Sequence, residues 1–471
     1  MTATHPPPAV VAPWGPREVP TTALLTDHYE LTMLQAALAA GSASRRCVFE
    51  LFARRLPEGR RYGVVAGVGR ALRALRQFRF DDESLRFLLD SEIVDQSTAD
   101  WLAGYAFRGD IWGYPEGEVY FPGSPILIVE STFAEAVVLE TLLLSIYNHD
   151  SAIASAASRM TAVAGSRPCI EMGSRRTQEL AAVAAARAAY VAGFEATSNL
   201  EAGRRYGVPT RGTSAHAFTL LHGSEREAFA AQIAALGENT TLLVDTYDEV
   251  EAIRIGVELT QGRLGAVRLD SGDLAVLADR ARQQLDSLGA RSTKIIVTSD
   301  LNEYTIAALS AAPVDGYGVG TALVTGSGHP TCGFVYKLVA RSTSDDPAAP
   351  LVGVAKKSTE KTSIGGRKYA ARRLSADGVA EAELIGIETP SERDAGQSMG
   401  GDPLGPPRGS AAEERDLLVR LVAGGEIIGE ESLADARARH RRARAELPLE
   451  ALKMSRGEPV IATIYSPRRD P

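Results

Sequence analysis

The string Ala266-Val267-Arg268-Leu269-Asp270-Ser271-Gly272-Asp273 sets an arginine inside an apolar, strand-like run and two carboxylates around a Ser-Gly turn at its exit. An arginine withdrawn from water needs an anionic partner. Two acidic residues on a loop beyond a strand can grip ribose hydroxyls or a hydrated Mg²⁺. The pattern reads as a site for a sugar phosphate beside an anionic ring, or as a structural ion pair.

Other strings carry chemistry of the same kind. Arg211-Gly212-Thr213-Ser214-Ala215-His216 puts a histidine in a Gly-Thr loop. It can serve as base, phosphate acceptor or hydrogen bonder, or stand as an exposed loop residue. Ser299-Asp300-Leu301-Asn302-Glu303 reads either as a polar site loop or as a helix cap with a first-turn acid. In Gly316-Tyr317-Gly318-Val319-Gly320-Thr321 the glycines admit a phosphate close to backbone N–H groups, or form a tight turn. Tyr29, within Thr26-Asp27-His28-Tyr29, could stack a heteroaromatic ring or belong to an amphipathic helix. Arg175 and Arg176, after Glu171-Met172-Gly173-Ser174, bind diphosphate or face solvent. The basic segment 356–368 is a phosphate lid or a solvated hairpin, and the G-x-x-x-x-G-K-[ST] string of a P-loop is missing.

These residues need a frame to hold them together. A chain of 471 residues, 45% hydrophobic, has material for two or three cores. Its net charge of −8 argues against a nucleic-acid surface. Cys47, Cys169 and Cys332 are odd in number and far apart, which fits a reducing cytoplasm. The N-terminus lacks an apolar signal core, and no apolar run reaches the ~18 residues of a membrane span.

Residues 1–20 read as a Pro-rich arm, 24–40 as a helix, 48–54 as a strand, and 133–164 as a helix broken near Asn148-His149-Asp150. Strand candidates then fall at 169–172, 207–211, 241–245, 264–270, 294–299 and 314–319, alternating with helices such as 177–192, 225–235, 247–256, 274–288 and 303–309. A repeat of roughly 20–35 residues is the size of a βα unit, so the fold is α/β, a parallel barrel or a doubly wound sheet. The polar and glycine residues follow the strands, at the face where such folds keep their sites. Strands at 335–341 and 351–356, a loop at 390–412 and an Arg-rich polar helix at 433–447 complete the chain.

Taken in order, these strings resemble the nicotinate phosphoribosyltransferase family, bacterial type. The matching stretches are 25–33, 171–176, 196–199, 212–216, 267–274, 299–303, 318–321 and 333–338. The resemblance implies an irregular parallel α/β barrel with a second, mixed α+β domain built from both ends of the chain. The expected division is 1–20 arm, 21–165 and 333–471 mixed domain, and 166–332 barrel. It implies condensation of nicotinate with 5-phosphoribosyl 1-pyrophosphate, coupled to ATP hydrolysis, by a homodimer with a shared site.

By position, Tyr29 would stack on the ring from the partner subunit, and Thr213 and Arg268 would contact nicotinate, Arg268 at its carboxylate. His216 matches the histidine that ATP phosphorylates. Ser299, Asp300, Gly318, Gly320 and Thr321 would hold donor phosphate, Asp270 and Asp273 ribose hydroxyls and Mg²⁺, and Arg175 or Arg176 the ring or pyrophosphate. Met172 stands where many relatives carry an aromatic residue. Nicotinamide-using relatives place an acid near Ser198; a serine there does not repel a carboxylate, which favours the acid substrate. The competing expectations are nicotinamide as substrate and a non-catalytic sensor of phosphoribosyl or nucleotide ligands.

Overall fold

The computed structural model describes residues 21–346, 348–356, 364–388 and 413–466. The Pro-rich arm, the loop at 390–412 and most of the basic segment 356–368 lie outside the described residues.

Six parallel strands carry the polar loops: Cys169–Glu171, Ala196–Thr197, Thr241–Leu243, Ala266–Leu269, Lys294–Val297 and Gly316–Val319. In space they run 196–197, 169–171, 316–319, 294–297, 266–269, 241–243. Taken as a ring, this is chain order with one pairing missing, between 196–197 and 241–243. The sheet is a curled half-barrel open at that seam. Val267, Leu269, Ile295, Val297, Tyr317 and Val319 are buried, as expected where helices cover a parallel sheet.

The segment 207–211 does not become a strand. Gly207 ends helix Leu200–Tyr206 in the left-handed conformation, and Pro209 has no N–H for a ladder. Only a bridge from Thr197 to Thr210 remains, with the Arg211 N–H on Thr197 O at 2.9 Å.

The second domain is a seven-stranded antiparallel sheet in the order 351–353, 334–342, 46–53, 127–132, 110–113, 419–423, 426–427. Strands from before and after the half-barrel thus complete one sheet. A four-stranded sheet, 413–416, 368–374, 380–387, 462–466, completes the fold beside it. Those strands escaped the sequence reading because their buried positions include charged residues, Lys368, Arg372 and Glu383. Arg372 is fully buried and donates to Glu118 at 2.9 Å, Glu383 at 2.6 Å and Val119 O at 2.9 Å.

Helix Glu140–Ala164 joins the two cores. Leu142, Leu143 and Ile146 pack in the antiparallel domain, and Ile153, Ala157 and Met160 under the half-barrel. Ser151 and Ser155 accept from the Ala66 and Val64 N–H groups at 3.0 and 2.9 Å, and Ser158 meets the Tyr62 hydroxyl at 2.8 Å. The expected break at 148–150 is absent; the helix is interrupted earlier, between Phe133–Val137 and Glu140. Asn148 accepts from the Phe334 N–H at 2.9 Å and Asp150 pairs with Arg70 at 2.6 Å, so these side chains find partners without competing for the helix backbone.

The first helix begins later than expected, at His28, where Asp27 caps it after a 3₁₀ turn. The Arg-rich helix, Leu433–Ala445, is not a purely solvated one. Arg437 donates to Gly193 O at 3.0 Å, Arg444 to Thr161 Oγ1 at 2.8 Å, and Arg439 pairs with Glu431 at 2.6 Å.

Candidate active site

The strand ends of the half-barrel bring most of the singled-out residues to one rim. Arg268 projects from strand Ala266–Leu269, its side chain 13% exposed. Its three nitrogens are spread over three elements: Nε donates to Thr298 Oγ1 at 2.9 Å, one terminal nitrogen to Thr213 Oγ1 at 3.1 Å, and the other to Asp270 Oδ1 at 2.8 Å. Thr298 also donates to Asp270. Burial pushes the Asp270 carboxyl up, but the hydrogen bonds from Thr298 and Arg268 outweigh it and hold the group below the usual carboxylate range. Asp270 is therefore ionised and Arg268 is fixed, with the exposed Thr213 at its outer edge.

The Arg211–His216 loop crosses the seam. It leaves the edge of strand Ala196–Thr197 and ends where His216 Nε2 meets Asp245 Oδ1 at 3.0 Å, beyond strand Thr241–Leu243. Asp245 is nearly buried, whereas the His216 side chain is 43% exposed. The other Asp245 oxygen accepts from the Asp270 N–H at 3.2 Å and the Ser271 hydroxyl at 2.8 Å. One carboxylate thus orients the histidine and ties it to the arginine's loop. The sequence reading missed Asp245; its signal was an acid directly after an apolar strand, as at Asp270.

The floor is formed by loops that close on one another. Glu171 is fully buried and accepts from the Gly173 N–H and the Thr197 hydroxyl; its burial pushes its carboxyl up. A Cβ on Gly318 would lie 2.5 Å from Thr298 Cγ2 and 2.7 Å from Met172 Sδ. Gly318 is thus a buried strand residue that lets Met172 and Thr298 close over the sheet. Gly320 and Thr321 follow at the rim, with Thr321 exposed at the start of a short helix. Ser198, Ser299, Asp300, Arg175 and Arg176 are also exposed at strand ends. Asp273 caps helix Leu274–Ser287, accepting from the Val276 N–H at 3.3 Å.

Tyr29 stands apart from this group. It lies 45% exposed on helix His28–Ala39 in the antiparallel domain. Burial of the phenol, then Glu140 and Glu30, push its hydroxyl up, and none of these partners belongs to the parallel sheet.

Among the described residues, no group of three or more His, Cys, Asp or Glu is arranged to hold a metal. Asp270 Oδ1 is occupied by Arg268 and Thr298, and Asp273 serves as a cap. This donor set does not form a resident cage. It does fit Mg²⁺ carried in on a diphosphate, which needs only one or two protein carboxylates. No helix among the described residues is long and apolar enough to cross a membrane.

The fold and rim define a class: an α/β half-barrel protein with an antiparallel second domain, whose strand ends gather an arginine, carboxylates and hydroxyls at one rim. Residues 24–148 match the model of the nicotinate phosphoribosyltransferase N-terminal domain, and 168–367 that of the nicotinate phosphoribosyltransferase family. The chain is 53% identical over 467 residues to nicotinate phosphoribosyltransferase pncB1 of Mycobacterium tuberculosis, covering 97% of this chain and 98% of that one. The crystal structure of human nicotinic acid phosphoribosyltransferase superposes with a TM-score of 0.76 at 26% identity, over 94% of this chain and 97% of that one. A nicotinate-nucleotide pyrophosphorylase structure from Pyrococcus furiosus shares the fold, with a TM-score of 0.69 at 22% identity over 92% and 99%. The chain belongs to the nicotinate phosphoribosyltransferase family.

Proposed function

We propose that the protein condenses nicotinate with 5-phosphoribosyl 1-pyrophosphate to nicotinate mononucleotide and pyrophosphate, coupled to ATP hydrolysis through phosphorylation of His216. The observation that carries the reading is Arg268, held on three sides by Thr298, Thr213 and Asp270 yet open at the rim. Such a guanidinium suits a ring carboxylate, for which it offers planar, fixed donors.

In the reaction the pyridine nitrogen attacks ribose C1. The C1–oxygen bond breaks, and its electron pair leaves with pyrophosphate. The protein needs no nucleophile for this, only alignment and charge neutralisation. Arg268 and Thr213 hold the ring, Asp270 faces the ribose hydroxyls, and Thr321, Gly320 and the Ser299-Asp300 turn face the donor's phosphates. Mg²⁺, held by Asp270 and the diphosphate, would supply charge neutralisation of the leaving group. Asp273, free beyond its cap bond, and Arg175 lie on the same rim. Asp245 accepts from His216 Nε2, leaving Nδ1 as the phosphoryl acceptor.

Two exposed apolar sets support a homodimer. Tyr29 and Met33, 45% and 36% exposed, share one face of helix His28–Ala39, with Leu25, 58% exposed, in the 3₁₀ turn before it; Leu220, Leu221 and Tyr247 lie exposed by the seam. Their pairing between copies would bring Tyr29 to the ring. The family's reaction and the unpaired, buried cysteines suit the cytoplasm.

The test is a mass-resolved assay with Mg²⁺, donor and equimolar nicotinate, nicotinamide and quinolinate, with and without ATP. The expected product is nicotinate mononucleotide, increased by ATP with release of ADP. Nicotinamide mononucleotide as the main product would overturn the reading of Ser198, and donor binding without any product would favour a sensor.

A further inference from the structure

Among the described residues, four that are not glycine have a positive φ: Glu92, Gln261, Ser299 and Ser327. Glu92, Gln261 and Ser327 follow helix ends, where that conformation is common. Ser299, at 112°, is on a strand exit instead. A side chain held there is strained, and persists only where the surroundings over-determine it.

Fixed posts stand on both sides of the turn. Upstream, Thr298 donates its N–H to Leu269 O at 2.9 Å and its hydroxyl to Asp270. Downstream, Leu301 is 2% exposed in the core, and Asn302 and Thr305 cap helix Glu303–Ala308 reciprocally. Glu303, also 2% exposed, locks this post. It accepts from Arg159 Nε at 3.1 Å and Ser327 Oγ at 2.6 Å, and faces an Arg60 terminal nitrogen at 3.4 Å. Arg60 also donates to Gly326 O at 2.9 Å.

These partners come from different parts of the molecule. Arg159 belongs to the helix shared by the two cores, and Arg60 lies just before strand Gly63–Val64, whose partner strand is Val119–Tyr120. Gly326 and Ser327 close the segment that begins at Thr321. Glu303 therefore ties together the segments beyond two neighbouring strands, Lys294–Val297 and Gly316–Val319. Between the posts, Ser299 and Asp300 remain exposed.

We propose that Glu303 is a positioning residue for the phosphoribosyl donor: it sets the Ser299-Asp300 turn against the Gly320-Thr321 loop. The inference rests on the donor-binding reading above. Glu303 touches no substrate. It acts by holding two donor loops at one spacing before the donor arrives, so that binding need not order them.

The test is to vary donor and nicotinate separately in Glu303→Gln, Ser327→Ala and Ser299→Gly, with melting temperatures in parallel. For Glu303→Gln the donor KM is expected to rise about tenfold or more, with the nicotinate KM within about twofold. Ser299→Gly relieves the strained φ and loosens the turn; its donor KM rises while its melting temperature holds or increases. Should Glu303→Gln fail to fold because Arg60 and Arg159 lose their counter-charge, Ser327→Ala keeps the ion triad and is expected to raise the donor KM about threefold. A donor KM unchanged in the folded variants would overturn the proposal. So would a nicotinate KM rising in step with it, which is the mark of general loosening. If the wild-type protein forms no mononucleotide, the functional reading fails instead, and calorimetric donor binding by the same variants still decides the role of Glu303.

Discussion

Two arginines on strands, Arg372 and Arg268, meet carboxylates in opposite ways. Arg372 is sealed in the core between Glu118 and Glu383, and Arg415 shares Glu118 at 2.9 Å. Arg268 has one carboxylate, Asp270, and two hydroxyls, one of them the exposed Thr213. The sealed cluster leaves no room for a ligand and builds the fold. The open one fixes a guanidinium through three of its five N–H groups and leaves two, beside the exposed Thr213, for an anion. Burial of an ion pair thus marks structure, whereas an anchored cation at a strand end marks a site.

The largest effect is expected from breaking the sealed cluster. Arg372→Met leaves Glu118 and Glu383 short of charge and should cost about 3–5 kcal/mol in denaturant unfolding. A loss below about 1 kcal/mol would show that the cluster is not structural in this sense. Acid sharpens the same point. Burial pushes the Glu118 carboxyl up, but Arg415 and Arg372 outweigh it and hold the group near about 2, against an ordinary 4.5. Its folded-state value is depressed, so its contribution is present above about pH 4.5 and is lost as pH falls towards 2. Unfolding midpoints should drop across that window, and less steeply in Arg372→Met.

The open cluster should respond in activity rather than stability. Asp245→Asn removes the charge that orients His216 and should lower ATP-stimulated turnover about tenfold or more, with a weaker phosphohistidine signal in ³¹P NMR. An unchanged signal would separate Asp245 from the histidine's chemistry. The smallest effect concerns Asp273. As a helix cap its replacement by Ala should cost about 1 kcal/mol of stability. A large loss of donor affinity with full stability would make it a ligand rather than a cap.

The sequence exposed the open cluster because Arg268 is at odds with its apolar strand, and an anomaly of that kind is visible locally. The βα rhythm was legible for the same reason, each unit being written in one short stretch. Asp245 carried only a weak signal: an acid after an apolar strand looks like any turn residue until His216 is seen 3.0 Å away. Glu303 read either as part of a polar site loop or as a first-turn acid, and its role as a post was hidden because its counter-charges, Arg159 and Arg60, lie far away in the chain. Strands 368–374 and 380–387 went unread because their buried charges break the apolar alternation on which strand reading depends. Long-range pairing is what a single sequence hides.

Arg268, as the open cation, is proposed to take the carboxylate of the ring. The most direct measurement is kcat/KM for nicotinate and for nicotinamide in the wild-type protein and in Arg268→Gln, with melting temperatures recorded alongside. The expected result is a fall of about 10²-fold or more for nicotinate and a much smaller change for nicotinamide, in a variant that melts at a lower temperature but remains folded under assay conditions. An equal fall for both rings, or nicotinate turnover that survives the substitution, would contradict it.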